Sequence, residues 1–332
     1  MRRLFLGAAV LATACGSGGA AAPAPTVTVT VTAAPTPSPT PSPSASGTAV
    51  TPSETPSPAG SLVPRPVVAP DGRRCPDHPT PACTGLPPGT RLRMLEPNDG
   101  PAHRVVRPGT VLDGVHVTGD LLIAADNVKI VNSRVDGHID NYYDDRSHSF
   151  TVADTTVGTT DACETIPAVG VAEYTAERVL VQGHADAFRD SGDNILIRDS
   201  YARLCSDGYK NYADGIQAYH GGRNVTLDHT TLDMRNVLNY NAPIFFDDRA
   251  DGNRDVTITN NLVMGGTFTV QLHNIHGSLV VRNNLVVDKT WEHAPTSGDC
   301  LDSIVFENNH IVTIDDDYRV TSLVRPLVCN GK

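Results

Sequence analysis

One nine-residue phrase is written eight times between residues 127 and 311. The copies are NVKIVNSRV (127–135), SFTVADTTV (149–157), EYTAERVLV (173–181), NILIRDSYA (194–202), NVTLDHTTL (224–232), DVTITNNLV (255–263), SLVVRNNLV (278–286) and SIVFENNHI (303–311), and GTVLDGVHV (109–117) is a degenerate first copy. The second, fourth and ninth positions are apolar almost throughout, as in Val128, Ile130 and Val135 or Val225, Leu227 and Leu232. The sixth is usually polar, with Asn132, Asp154, Asp199, Asn260, Asn283 and Asn308.

Alternation with period two means strand, and β-branched residues dominate the apolar positions. Copies begin 18 to 31 residues apart, mostly in the low twenties. Short strands recurring at that spacing, separated by Asn, Asp and Gly, are the signature of an all-β, single-stranded parallel β-helix in which each copy belongs to one coil. About nine coils stacked ~4.8 Å apart would make a rod of roughly 40 Å. The sixth-position Asn marks a corner between two strands, because Asn tolerates turn conformations and bonds its own backbone. Stacked coil on coil, such side chains can form a ladder. A leucine-rich repeat would need an L-x-x-L-x-L frame, and a β-sandwich would not repeat one phrase; neither fits.

Ahead of the repeats lies an export signal. Met1-Arg2-Arg3 is basic, and the apolar run from Leu4 to Leu11 is too short to span a bilayer. Leu11-Ala12-Thr13-Ala14-Cys15-Gly16 resembles a bacterial lipoprotein box, which implies a signal peptide over 1–15 and lipidation of Cys15. Residues 16–69 are dominated by Pro, Thr, Ser and Ala, and such a segment cannot offset its ordering entropy. It reads as a disordered tether between a lipid anchor and a folded domain over 70–332 at the cell surface, or as the leader of a secreted domain. Six further cysteines, Cys75, Cys83, Cys163, Cys205, Cys300 and Cys329, fit an oxidising compartment, and no CxxC or His/Cys cluster suggests structural zinc. Fifteen pairings are open to six cysteines. Cys75–Cys83, Cys163–Cys205 and Cys300–Cys329 are the expected ones, since each brackets a loop-rich stretch.

Together with TGLPPGTRL (84–92), PGTVLDGVHVTGDLLI (108–123), ADGIQAYHGGRNVTL (213–227) and MGGTFTVQLH (264–273), the repeats resemble secreted actinobacterial right-handed parallel β-helix proteins of the pectin-lyase-like superfamily. The resemblance covers about residues 75–332. It implies a glycan-directed surface more strongly than any one reaction.

The chemistry-bearing residues fall in the stretches before the phrase, notably HADAFRDSGD (184–193), CSDGYKNYADGIQAYHGG (205–222), NAPIFFDDRADGNRD (241–255) and TFTVQLHNIHG (267–277). With Phe188, Ile216, Phe246 and Leu272 facing the core, one outward column reads Arg189, Gln217, Asp247, Gln271 and His273, edged by Asp186, Asp214, Tyr219 and Asp248. Convergent polar groups in a groove are the default pattern for a site. β-Elimination from a uronate polymer suits this set. The resemblance implies Arg189, Lys210 or Arg249 as base or carboxylate clamp, and Ca²⁺ held by Asp186, Asp214, Asp247 and Asp248. Tyr219 or His273 would protonate the leaving oxygen, Gln217, Tyr219, Arg249 and Gln271 would bind substrate, and Asp214 and Asp247 count among the catalytic residues as well. Glycoside hydrolysis by a carboxylate pair is the second expectation. The order NYADGI (211–216), Asp247-Asp248 and His276-Gly277 is similar to polygalacturonase-type glycosidases, although their Arg-Ile-Lys motif is absent. A non-catalytic glycan-binding or adhesion module is the third.

The formal charge of −11 excludes a nucleic-acid partner, which needs a basic face. It would also repel an anionic polysaccharide unless a bound cation or a local Arg/Lys patch inverted the field. One tryptophan in the chain leaves Tyr142, Tyr143, Tyr209, Tyr212 and Tyr219 as platforms for sugar rings. The expected partner is a polysaccharide, the membrane enters only through the lipid anchor, and the protein is expected to be a monomer.

Overall fold

The computed structural model describes residues 65–206, 208, 212–235, 237–238, 240–247, 251–300 and 304–329. They form strands and turns with no helix among them. Three long sheets account for nearly all the strands. Sheet 1 has nine strands, from His103–Val105 to Ala294–Gly298. Sheet 2 has nine, from Val111–Asp113 to Val305–Glu307, and sheet 3 has eleven, opening with Arg93–Leu95. Pairing is parallel throughout except at the end of sheet 3, where Val320–Pro326 runs antiparallel to His310–Ile314. The chain visits the sheets in rotation. Asp186–Asp190 lies in sheet 1, Ile195–Arg198 in sheet 2 and Tyr201–Arg203 in sheet 3, and the next circuit repeats this with Asp214–Ala218, Arg223–Asp228 and Thr231–Asp233. This is the winding expected of a parallel β-helix.

The repeated phrase therefore covers two sides of each circuit and the corner between them. Its second and fourth residues come from sheet 2 and its ninth from sheet 3, and they fill a continuous interior: Val128, Ile130, Val135, Ile195, Ile197, Val225 and Leu227 are all buried. All eight sixth-position residues are left-handed, with φ between 47° and 59°: Asn132, Asp154, Arg178, Asp199, His229, Asn260, Asn283 and Asn308. That conformation costs an ordinary L-residue about 1–2 kcal/mol, and Asn and Asp offset it by local hydrogen bonding. Where the residue is neither, an acidic neighbour stands one circuit below: Arg178 Nε and Nη2 donate to Asp154 (2.8 and 2.9 Å), and His229 Nδ1 meets Asp199 Oδ1 at 2.6 Å.

Two ladders climb this corner. On the outside, Asn308 Nδ2 donates to Asn283 Oδ1 (2.8 Å) and Asn283 Nδ2 to Asn260 Oδ1 (3.1 Å). On the inside, the seventh position supplies Asn261, Asn284 and Asn309, all buried and bonded to one another.

Disulfides join Cys75 to Cys83, Cys163 to Cys205 and Cys300 to Cys329, the pairing expected from the sequence. Such bonds belong to an oxidising, extracytoplasmic environment. The folded part begins before residue 70. Arg65 pairs with Asp228, and Val67–Val68 pairs antiparallel with Arg74–Cys75, burying Val67. The segment that follows lies over sheet 3, where Gly85 N donates to Arg178 O (2.8 Å) and Leu86 N to Thr156 Oγ1 (3.0 Å). Sheet 3 is thus covered in part by the N-terminal segment, and the polar pocket lies on sheet 1.

Candidate functional site

Sheet 1 carries the strands that precede each phrase. Phe188, Ile216, Phe246 and Leu272 are buried, as expected. The register across them differs from the expected column. Phe188 pairs with Ile216, but Ile216 pairs with Ile244, so Phe246 stands beside Ala218. One outward row therefore runs Arg189, Gln217, Phe245, Gln271 and Ser297. The residues after the strands, Tyr219, Asp247, His273 and Asp299, form a second row, so Asp247 and His273 do not share a column with Arg189 and Gln217. The inward–outward parity is as expected and the offset differs by two residues, because the strands do not end level.

Arg189, Gln217 and Tyr219 meet Asp186 in a pocket of about 460 Å³, whose wall also includes Thr165, Tyr212 and Asn241. The Arg189 guanidinium carbon lies 5.2 Å from the centre of the Tyr219 ring, and Nη2 lies 4.0 Å from Asp186 Oδ2. The seat beneath Arg189 requires a glycine: a Cβ on Gly170 would fall 2.4 Å from Arg189 Cβ. Gly170→Ala should therefore displace Arg189 and cost about 1–3 kcal/mol, read as a lowered melting temperature. An unchanged melting temperature would show that the strand can yield at no cost.

Asp186 and Asp214 open adjacent strands and pair in register. Asp214 N donates to Asp186 Oδ1 (2.9 Å). Asp214 is fully buried. Its Oδ2 accepts from Gln217 Nε2 (2.7 Å) and Asn241 Nδ2 (3.2 Å), and its Oδ1 from Ala242 N (3.1 Å). Burial pushes the Asp186 carboxyl up to about 6, against the pull of Arg189. Burial and the Asp186 charge push Asp214 well above the carboxylate range. Two carboxyls so placed titrate as a pair. Asp186 is the member that lines the pocket, so it is the one that can exchange a proton with a ligand.

The carboxylates expected to hold Ca²⁺ do not form one centre. Asp214 stands beside Ala242, and Asp247 follows five residues later, up to about 16 Å along the chain direction. The ligand atoms of Asp186, Asp214 and Asp247 do not gather within 4.8 Å of one another, and Asp248 lies outside the described residues, as do Lys210, Arg249 and Cys15. Gln271 is buried in Arg189's row, two circuits past Gln217. His273 lies in Tyr219's row, about 10 Å from it at two circuit spacings, and bonds Ser297 Oγ (3.0 Å) through Nε2. Sequence reasoning missed Asn241 and Thr165, which carry no motif, and it made Asp186 a metal ligand. Tyr212 and Tyr219, expected as sugar platforms, are exposed at the pocket mouth. Searches against protein-family models, curated proteins and solved structures find no match to this chain.

Proposed function

We propose that this pocket is the active site of a polysaccharide lyase that cleaves a uronate-containing glycan by β-elimination. The fold in this reading is a right-handed single-stranded parallel β-helix of about nine coils, related to the pectin-lyase-like superfamily. It is displayed outside the cell behind a signal peptide and a Pro/Thr/Ser-rich tether, with Cys15 as lipid anchor. The observation that supports the reaction is one arrangement: a guanidinium laid on Tyr219, with Nη2 4.0 Å from Asp186, whose strand pairs in register with that of buried Asp214. Arg189 is the one cation among the described residues lining the pocket, so it supplies the local positive field that a chain of charge −11 needs to receive a polyanion.

In the proposed step Arg189 pairs with the uronate carboxylate and steadies the enolate that develops on it. Ionised Asp186 removes the proton α to that carboxylate. The electron pair forms the new double bond and expels the glycosidic oxygen, which takes a proton from the Tyr219 hydroxyl. Tyr212 and Tyr219 offer ring faces to neighbouring sugars. Hydrolysis by a flanking carboxyl pair would need a second carboxyl across the bond. Asp214 instead adjoins Asp186 on the same wall and is held by three N–H donors.

The test is to incubate the full chain with a panel of polysaccharides, with and without calcium, and to weigh the products. Oligosaccharides lighter by one water than their hydrolytic equivalents are expected from uronate polymers, without a need for calcium. Arg189→Lys, which keeps the charge but loses the planar fork, is expected to lower kcat/KM at least about a hundredfold. Products of full hydrolytic mass would replace this reading with a glycosidase, and binding without products would replace it with a glycan-binding module.

A further inference from the structure

Away from the pocket, Asp120, His138 and Glu164 come together at the corner leading into sheet 1. Their nearest ligand atoms all lie within 4.8 Å of one another. Asp120 and His138 stand directly before Leu121–Ile123 and Ile139–Asp140, which pair in register, so the winding stacks them one circuit apart. Glu164 lies on the insert between Thr156–Val157 and Val169–Gly170, where it bridges in parallel to His184. Its backbone is fixed to the sheet by Glu164 N to Gly183 O and Ala185 N to Glu164 O, both 2.8 Å, and Cys163 beside it is bonded to Cys205.

His138 is the telling member. Its side chain is nine-tenths buried, and Nδ1 has no hydrogen-bond partner. That nitrogen nevertheless lies 2.9 Å from Asp120 Oδ1, close but without hydrogen-bond geometry. Two atoms bound to one cation at about 2.1 Å stand ~3.0–3.4 Å apart, from a right angle to a tetrahedral one, without bonding each other. A buried imidazole nitrogen left unpaired costs about 1–3 kcal/mol, which a bound cation would remove.

We propose that Asp120, His138 and Glu164 bind a divalent first-row transition cation of the zinc class, which clamps the 158–168 insert onto sheet 1. One imidazole nitrogen and two carboxylate oxygens suit zinc, manganese or cobalt, whereas calcium and magnesium take all-oxygen sets. The clamp has a consequence for the pocket, because Thr165, next to Glu164, is part of its wall. Zinc was discounted in the sequence for want of a Cys/His cluster. These ligands sit 18 and 26 residues apart, about one repeat each, so only the winding brings them together.

The test is calorimetric titration of the metal-stripped, disulfide-intact full chain with Zn²⁺, beside Glu164→Gln and His138→Gln. Thermal melts accompany each, and Co²⁺ absorption reports the ligand set. One equivalent of Zn²⁺ should bind the wild type and raise its melting temperature, and Co²⁺ should show bands of an imidazole-ligated site. Either variant should weaken binding by at least about a hundredfold, beyond the 10–100-fold typical of outer-shell changes. Glu164 is only partly buried, so Glu164→Gln decides the matter alone if His138→Gln fails to fold. No Zn²⁺ or Co²⁺ binding to the wild type, binding unaltered in folded Glu164→Gln, or displacement of Zn²⁺ by equimolar Ca²⁺ would each overturn the proposal. The lyase reading stands or falls separately, on product masses.

Discussion

Asp186→Asn is expected to make the protein inactive and, above pH 6, more stable. Both effects come from one cause. Burial raises the Asp186 carboxyl from its ordinary 3.8 to about 6, so the folded protein binds that proton more tightly than the unfolded chain does. The stabilisation linked to this proton is complete below about pH 4. It disappears as pH rises through 6, where folding must carry an ionised, nearly buried carboxylate. Each pKa unit corresponds to ~1.4 kcal/mol, so the wild type should lose up to about 3 kcal/mol of relative stability between pH 4 and 7 from this group. Asparagine keeps an oxygen for the Asp214 N–H and never ionises. The charge that raises Asp214 also disappears. Denaturant melts of both proteins at pH 4 and pH 8 should show the variant gaining about 1–3 kcal/mol on the wild type between the two. Parallel curves at both pH values would mean that Asp186 is not the titrating group.

The catalytic half of the prediction rests on the proposed reaction. Without the base, turnover should fall by about 10²–10⁴-fold. In the wild type, activity should rise as pH passes 6, because the ionised form of Asp186 is the active one. A variant that is both stabler and inactive would be the usual trade between a site's strain and its function.

How much of this was legible from the residues differs between corner and face. At the corner, Asn132, Asp199, Asn260, Asn283 and Asn308 announced a turn because few other L-residues tolerate left-handed backbone, and the structure has every sixth position there. The inner partner was harder to see. Ser133, Thr155, Val179, Ser200, Thr230, Asn261, Asn284 and Asn309 share one buried column, but polarity alone does not distinguish an inward Asn from an outward one. On sheet 1 the alternation identified which residues face the core. It could not fix the offset between circuits, which depends on how each insert re-enters its strand, and a two-residue shift moved Phe245 into the place expected of Asp247. Pairing between circuits was the other invisible quantity. Asp186 reads as a metal ligand until Asp214 stands beside it, and His138 as an isolated histidine until Glu164 folds over it.

The inner ladder yields the largest stability effect expected of a single substitution. Asn284 Oδ1 accepts from Asn261 N (3.1 Å) and Asn261 Nδ2 (2.9 Å), while its Nδ2 donates to Asn309 Oδ1 (2.9 Å) and Ile258 O (2.8 Å). All of this is out of reach of water, with Asn261, Asn284 and Asn309 each no more than 3% exposed. Asn284→Ala leaves Asn261 N without its partner, takes one of two acceptors from Asn261 Nδ2, which keeps Leu227 O (3.0 Å), removes the amide bonds to Ile258 O and Asn309 Oδ1, and leaves a void. With about 1–3 kcal/mol for the buried group left unsatisfied and more for the other lost bonds and the void, the loss should be about 2–5 kcal/mol. Asn283, its neighbour in sequence, is the control. It also sits in a ladder, but on the outer side of the corner and with φ at 58°. Glycine adopts that backbone freely, so Asn283→Gly should cost less than about 1 kcal/mol. Chemical denaturation of the two variants should therefore separate by several kcal/mol. Equal losses would mean that the buried amides of the inner ladder contribute no more than the outer ones.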